Sequence, residues 1–279
     1  MSSQPQRDQR VALVTGAARG IGHSIAIRLS GQGFLVALND LPCNETALQG
    51  VVNSIRTSQC DEESAAMTCL ADVSVEGEVE RMIDEVVGYY GRLDVMVANA
   101  GLLHRNLIVE TTAAEWDESM AVNARGTFFC YKYAARQMIR QYEEAQQQGQ
   151  VLAGLRIIGA ASVAAKRAGT SLGAYSASKF AIRGLTQAAA LELGQYGITV
   201  NAYAPGGIDT EMLGQIASGT AAEMGNKPDD YFQELKDRTA LGCIGETTDV
   251  SNLVSFLASE DSKFITGQSV RLQFPWLQI

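Results

Sequence analysis

The chain has 279 residues, 46% hydrophobic and 19% charged, an ordinary balance for a globular protein with a sizeable core. A formal net charge of −9 without any basic cluster argues against non-specific binding to nucleic acid or an anionic membrane, and no apolar run approaches the roughly 18 residues needed to span a bilayer. Five scattered cysteines without CxxC spacing and two isolated histidines, His23 and His104, suggest free thiols in a reducing, cytoplasmic setting and no metal site.

The polar start MSSQPQRDQR lacks the apolar h-region of a secretory signal, and residues 1–9 are expected to be a flexible tail. RVALVTG then reads as a fully buried strand ended by Gly16, followed by a helical pattern from Gly22 to Leu29 and a second strand, GFLVALND. A helix over about 44–58 precedes a third strand, AMTCLADV, and EGEVERMIDEVVGYYG is strongly amphipathic. LDVMVANAG is the fourth strand, and a long helix is expected from about Ala113 to Tyr142, with a break near Asn123. LRIIGAAS, the helix carrying Tyr175, and GITVNAYAPG follow as strand, helix and strand. Residues 211–240 have a weak pattern and read as an insertion over the sheet edge, before a helix in TDVSNLVSFLAS and a last strand in GQSVRLQF. Strands that are apolar throughout, alternating with helices, predict an α/β fold: one doubly wound parallel sheet of about seven strands with helices on both faces. No linker interrupts residues 10–279, so one domain is expected, with 211–240 as a substrate lid.

TGAARGIG, Thr15 to Gly22, sits at the first strand-to-helix turn. Glycines 16, 20 and 22 there let backbone approach a pyrophosphate, and the helix N-terminus supplies oriented N–H groups. The spacing is Gly-x-x-x-Gly-x-Gly, which a tight structural turn would share. Asp40, ending the second strand, can accept both ribose hydroxyls of an adenosine and would repel a 2′-phosphate. A helix N-cap is the bland alternative for Asp40, and Arg19 inside the glycine turn would favour a phosphate instead. NAD(H) is therefore preferred, with NADP(H) left open. Asp72 can receive an adenine amino group, and Asn99, Ala100 and Gly101 leave room beside a ribose or nicotinamide.

AYSASKFAIRG places Tyr175 and Lys179 at i, i+4 on one helix face, with Ser162 thirteen residues before the tyrosine and Asn123 in the preceding long helix. With TGAARGIG, ADV, DVMVANAG, VNARGTFF, YSASK and PGGIDT, the chain resembles the short-chain dehydrogenase/reductase family from about residue 10 to 270. The resemblance implies a single Rossmann-like fold, a nicotinamide cofactor and hydride transfer between an alcohol and a carbonyl. It implies catalytic roles for Asn123, Ser162, Tyr175 and Lys179: Tyr175 as general acid/base, Ser162 polarising the substrate oxygen, and Lys179 tuning the phenol and holding ribose hydroxyls. Asn123 would kink its helix and hold a water for proton relay. The same resemblance adds Ile21, Val73, Pro205, Gly206, Ile208 and Thr210 to the cofactor contacts, the last two at the carboxamide. Asp94 reads as structural support.

YSASKFAIRGLTQAAALELGQYGITVNAYAPG and TALGCIGETTDVSNLVSFLASEDSKFITGQS are similar to acetoin/diacetyl reductases, which implies a small vicinal ketol or diketone as substrate. Substrate choice is expected in residues 102–108, 163–173 and 211–240, with Met212, Met224 and Phe232 as apolar candidates. The family usually ends its last strand in a Gly-Gly pair. Here VRLQFPWLQI brings Phe274, Pro275 and Trp276 instead, which suits a specialised ketoreductase of secondary metabolism, an alternative beside a polyol or 3-oxoacyl reductase. A non-catalytic NAD-binding sensor is the rival from another class, disfavoured because the Ser–Tyr–Lys set is complete. A homo-oligomer, tetramer or dimer, is implied, with helices 113–142 and 175–194 pairing between subunits.

Overall fold

A computed structural model describes residues 9–59, 63–225 and 227–273, so the expectations for the N-terminal tail and for Phe274, Pro275 and Trp276 lie outside the described residues. In chain order the elements are β1 (Val11–Thr15), α1 (Gly20–Ser30), β2 (Leu35–Asp40), α2 (Glu45–Ser58), β3 (Ala66–Leu70), α3 (Glu76–Tyr90) and β4 (Val95–Ala98). They continue with α4 (Ala113–Ser119), a π-helical segment (Met120–Gly126), α5 (Thr127–Gln147), β5 (Arg156–Ala160), α6 (Gly173–Leu193) and β6 (Thr199–Pro205). The last are α7 (Glu211–Met224), α8 (Pro228–Asp237), α9 (Thr247–Ala258) and β7 (Ser269–Leu272).

The strands form one parallel sheet in the order β3-β2-β1-β4-β5-β6-β7. Period-2 alternation explains why the strands are apolar at every position. Val11 and Leu13 of β1 face one core, with Met82 and Val86 of α3 and Tyr131 and Met138 of α5. Ala12 and Val14 face the other, with Ile25 and Leu29 of α1, Val52 of α2 and Val254 of α9. Each buried aliphatic side chain contributes about 1.5–3 kcal/mol on either face. The chain reverses its direction of travel across the sheet between β1 and β4, which opens a crevice at the carboxyl ends of those strands. Asp94, at the opposite end of the sheet, is fully buried; its carboxylate accepts from Val11 N at 2.8 Å and pairs with Arg92 at 2.7 Å.

Two sequence expectations change. Residues 211–240 are not irregular: Thr210 caps α7 by accepting from Leu213 N, and Pro228 starts α8 at a position where its missing N–H is no loss. Leu213, Ala217 and Ala221 recur every fourth residue and are buried, a helical stripe hidden by its small side chains. The long helix ends at Gln147, not Tyr142, and its break is a full π-helical segment. Gln273, just after β7, has a left-handed backbone (φ 70), rare for a residue with a Cβ, and its Nε2 donates to Cys243 O at 2.6 Å.

Candidate active site

The glycine turn is built for close approach. Gly16 has φ 63, and a Cβ there would meet Ala100 Cα at 3.0 Å; a Cβ on Gly22 would lie 2.1 Å from Gly16 O. Helix α1 begins with no side-chain cap and no acidic residue in its first turn, leaving its N–H groups and positive end facing the crevice. Asn99 locks the turn in place: its Nδ2 donates to Thr15 O at 2.8 Å and Gly16 O at 3.2 Å, and its Oδ1 accepts from Tyr203 Oη at 2.6 Å. Thr15 Oγ1 accepts from both Asn99 N and Ala100 N at 3.0 Å. Sequence reading passed over Thr15 and Tyr203. Their only signal is a polar group in a buried strand, and both are 1% exposed.

Asp40 closes one end. Its Oδ2 accepts from Ala18 N at 3.0 Å, and its Oδ1 from Leu41 N at 2.9 Å and Asn44 Nδ2 at 2.7 Å. A carboxylate has about four acceptor positions, so a ribose hydroxyl finds room on Oδ2 while a second hydroxyl would have to displace Asn44. Asp72 Oδ1 accepts from Ser74 N at 2.8 Å, and Val73 is buried where a Cβ on Gly126 would meet its Cγ2 at 2.9 Å. Arg19 does not stand alone in the turn: it pairs with Glu211 at 2.7 Å.

At the other end, Ser162 follows β5; its Oγ accepts from Ala164 N at 3.1 Å and its side chain hydrogen-bonds the half-buried Tyr175. Helix α6 carries Tyr175 and Lys179 one turn apart, with Lys179 Nζ 5.5 Å from the tyrosine ring centre and donating to Ala160 O at 2.7 Å. Lys179 is 4% exposed, and burial pushes its ammonium down to about 8. Burial also holds the Tyr175 phenol above its ordinary value, opposed in part by the Ser162 hydrogen bond. Lys179 was expected to lower that phenol; here desolvation raises it, and the group opposing the rise is Ser162.

Asn123 lies in the π-helical segment and is fully buried. Its Oδ1 accepts from Leu102 N at 2.8 Å, and its Nδ2 donates to Leu102 O at 2.9 Å and Ser178 Oγ at 3.0 Å. Ser178 in turn donates to Tyr175 O at 2.7 Å. A Cβ on Gly101 would meet Asn123 Oδ1 at 3.0 Å and Lys179 Nζ at 3.4 Å, so Gly101 keeps those two side chains adjacent.

A cleft of about 520 Å³ runs from Asp40 and Asp72 past Gly16, Arg19, Gly20, Ile21 and Gly22 to Tyr175 and Lys179. Val73, Asn99, Ala100, Gly101, Pro205 and Thr210 also line it, whereas Asn123, Ser162, Gly206 and Ile208 do not. Ile208 is buried, and the backbone bonds joining its stretch to Gly245 use Gly207 and Asp209 instead of its own amide. The cleft is also lined by Leu102, Leu103, Val122 and Met212, with Glu118 and Gln215 as polar groups. Segments 102–108 and 163–173 meet through Asn106 N, which donates to Ser171 O at 3.0 Å. Of the other apolar candidates, Phe232 makes an edge contact with Tyr231 and does not line the cleft, while the Met224 side chain lies outside the described residues.

A family model described as enoyl-(acyl carrier protein) reductase matches residues 16–272. A short-chain dehydrogenase/reductase of Armillaria gallica is 45% identical, covering 98% of this chain and 97% of its own. An L-2,3-butanediol dehydrogenase of Corynebacterium glutamicum is 39% identical over 93% of this chain and 95% of its own. Among solved structures, an actinorhodin polyketide ketoreductase variant with NADPH superposes with a TM-score of 0.85 at 28% identity, covering 96% of this chain and 97% of its own.

Proposed function

The chain belongs to the short-chain dehydrogenase/reductase family, nicotinamide-dependent oxidoreductases acting on CH–OH groups, and from that premise we propose that it interconverts a small secondary alcohol and its ketone using NAD(H). The observation that carries the reading is the Ser162–Tyr175–Lys179 cluster at one end of a cleft whose other end is Asp40. The residues fit a dinucleotide: an uncapped helix N-terminus, a turn with no room for a Cβ at Gly22, and a carboxylate with an acceptor position left. Gly16, Gly20, Ile21 and Gly22 would hold the pyrophosphate, Asp40 the ribose, Asp72 and Val73 the adenine, and Pro205, Gly206, Ile208 and Thr210 the carboxamide side. When bound, the cofactor supplies or accepts the hydride.

The chain's own groups supply the proton. Tyr175 Oη gives it to a carbonyl oxygen during reduction, or takes it from a hydroxyl during oxidation, while Ser162 donates a hydrogen bond to the same oxygen. Because burial holds the phenol protonated at neutral pH, the tyrosine is ready as an acid. The buried Lys179 ammonium stabilises the phenolate left behind and holds ribose hydroxyls near Gly101. Asn123 fixes Leu102 and, through Ser178, the backbone of Tyr175 itself. A relay through Asn123 would run from the Lys179 side towards solvent. Leu102, Leu103, Val122 and Met212 supply apolar lining with Glu118 and Gln215 as polar groups, which suits a small neutral vicinal ketol or diketone. The butanediol dehydrogenase relative supports that substrate class.

A homo-oligomer is part of the proposal, because Phe128 of α5 and Phe180 and Leu191 of α6 expose apolar surface. Residues 10–279 would act as one domain, with α7 and α8 as the lid.

Turnover of diacetyl, acetoin and 2,3-butanediol with each cofactor tests the substrate. Activity on at least one of them, faster with NADH or NAD⁺, is expected. Activity restricted to bulky polycyclic or thioester ketones would replace it with the specialised ketoreductase, the reading favoured by the polyketide ketoreductase likeness.

A further inference from the structure

Among its described lining residues the cleft has two cationic side chains, Lys179 and Arg19. Lys179 is buried at the catalytic end on the Ala160 carbonyl. Arg19 stands at the glycine turn, one residue after Ala18, whose N–H donates to the Asp40 carboxylate at 3.0 Å. Arg19 is thus the cation carried by the turn that a 2′-phosphate on a ribose at Asp40 would recruit. Arg19 Nη1 is instead 2.7 Å from Glu211 Oε2, a residue 192 positions away at the start of α7. The two segments are in contact beyond this pair: a Cβ on Gly20 would lie 3.8 Å from Thr210 Cγ2. Glu211 also lines the cleft and sits in the first turn of its helix, where the dipole favours an anion.

We propose that Glu211 is a cofactor-discriminating residue. It occupies Arg19, withholding the cation that a 2′-phosphate would recruit. A dinucleotide with free ribose hydroxyls needs no cation at that place and is not penalised. The assignment rests on the nicotinamide reading above and explains how an arginine in the glycine turn coexists with an NAD(H) preference. Both side chains are exposed (69% and 61%), so the discrimination is modest and salt-sensitive.

The test is calorimetric binding of NADH and NADPH to wild type, Glu211→Gln, Arg19→Gln and the double variant, at low and high salt. Glu211→Gln should tighten NADPH about two- to fivefold, the worth of one exposed ion pair, and leave NADH within about 1.5-fold. The gain should vanish in the double variant and shrink at high salt. An unchanged ratio of the two affinities in Glu211→Gln, or a gain that persists without Arg19, overturns the assignment. Wild type that binds neither dinucleotide overturns the nicotinamide reading itself, a different result from binding with an unchanged ratio.

Discussion

Lys179 is a nearly buried cation, and burial alone moves its pKa from 10.5 to about 8. The unfolded chain therefore binds more protons at this residue than the folded one between those values, and its contribution to stability rises with pH there. Compared with Lys179→Met, wild type should gain stability on the order of 3 kcal/mol as pH climbs from about 8 to 10.5. Chemical denaturation of both proteins across that range reads the difference; a gap independent of pH would show that the ammonium is not desolvated. The neighbouring Gly101 leaves no freedom either. Gly101→Ala should push Asn123 or Lys179 aside by a few tenths of an ångström and lower kcat while sparing the fold, as thermal unfolding and steady-state rates would show. The side chains of this site were legible in sequence as a spaced set: Tyr175 and Lys179 by helical periodicity, Ser162 by its strand end. The environment was not legible. No spacing rule says that Lys179 would rest on Ala160 O, or that burial would raise the Tyr175 phenol.

The π-helical segment and the glycine turn are the elements that set the site's dimensions. A π-segment widens the helix by one residue per turn, and here it delivers Asn123 inward to bridge Leu102 and Ser178. Asn123→Ala would strand Leu102 N, Leu102 O and one bond of Ser178 in a buried setting, at about 1–3 kcal/mol for each unsatisfied group. Loss of stability together with a lower kcat is expected; full stability by denaturant melts would contradict the network. In the turn, Gly22→Ala sets a methyl against backbone at 2.1 Å, which no rotamer change relieves. Dinucleotide affinity should fall at least tenfold, and unaltered binding by calorimetry would mean that the turn has slack. Helices α7 and α8 escaped sequence reading for a physical reason. Ala217 and Ala221 bury little area each, so the α7 stripe carries weak hydropathy contrast even though the burial is complete at Ala217. The glycine turn, by contrast, announced itself through residues that have no other reason to cluster.

The whole molecule is a sheet whose order reverses between β1 and β4, and every functional end described above faces that reversal. Apolar strands alternating with amphipathic helices made the doubly wound layout legible, because both faces of a parallel sheet must be buried. Strand order was not legible from periodicity, since Val11, Leu35 and Val95 are equally apolar and nothing local says which of them pair. The tie among Thr15, Asn99 and Tyr203 was hidden for the same reason: it joins the ends of three strands that are far apart in sequence. In the proposed function this assembly brings a dinucleotide cleft and a proton-donating Tyr175 together, and each half can be measured separately. The decisive measurement is diacetyl reduction with NADH by wild type and Tyr175→Phe, alongside calorimetric NADH affinity for both. A loss of about 10²- to 10⁴-fold in kcat with NADH affinity within twofold is predicted, since only the transferred proton is removed. Equal turnover by Tyr175→Phe would contradict the account.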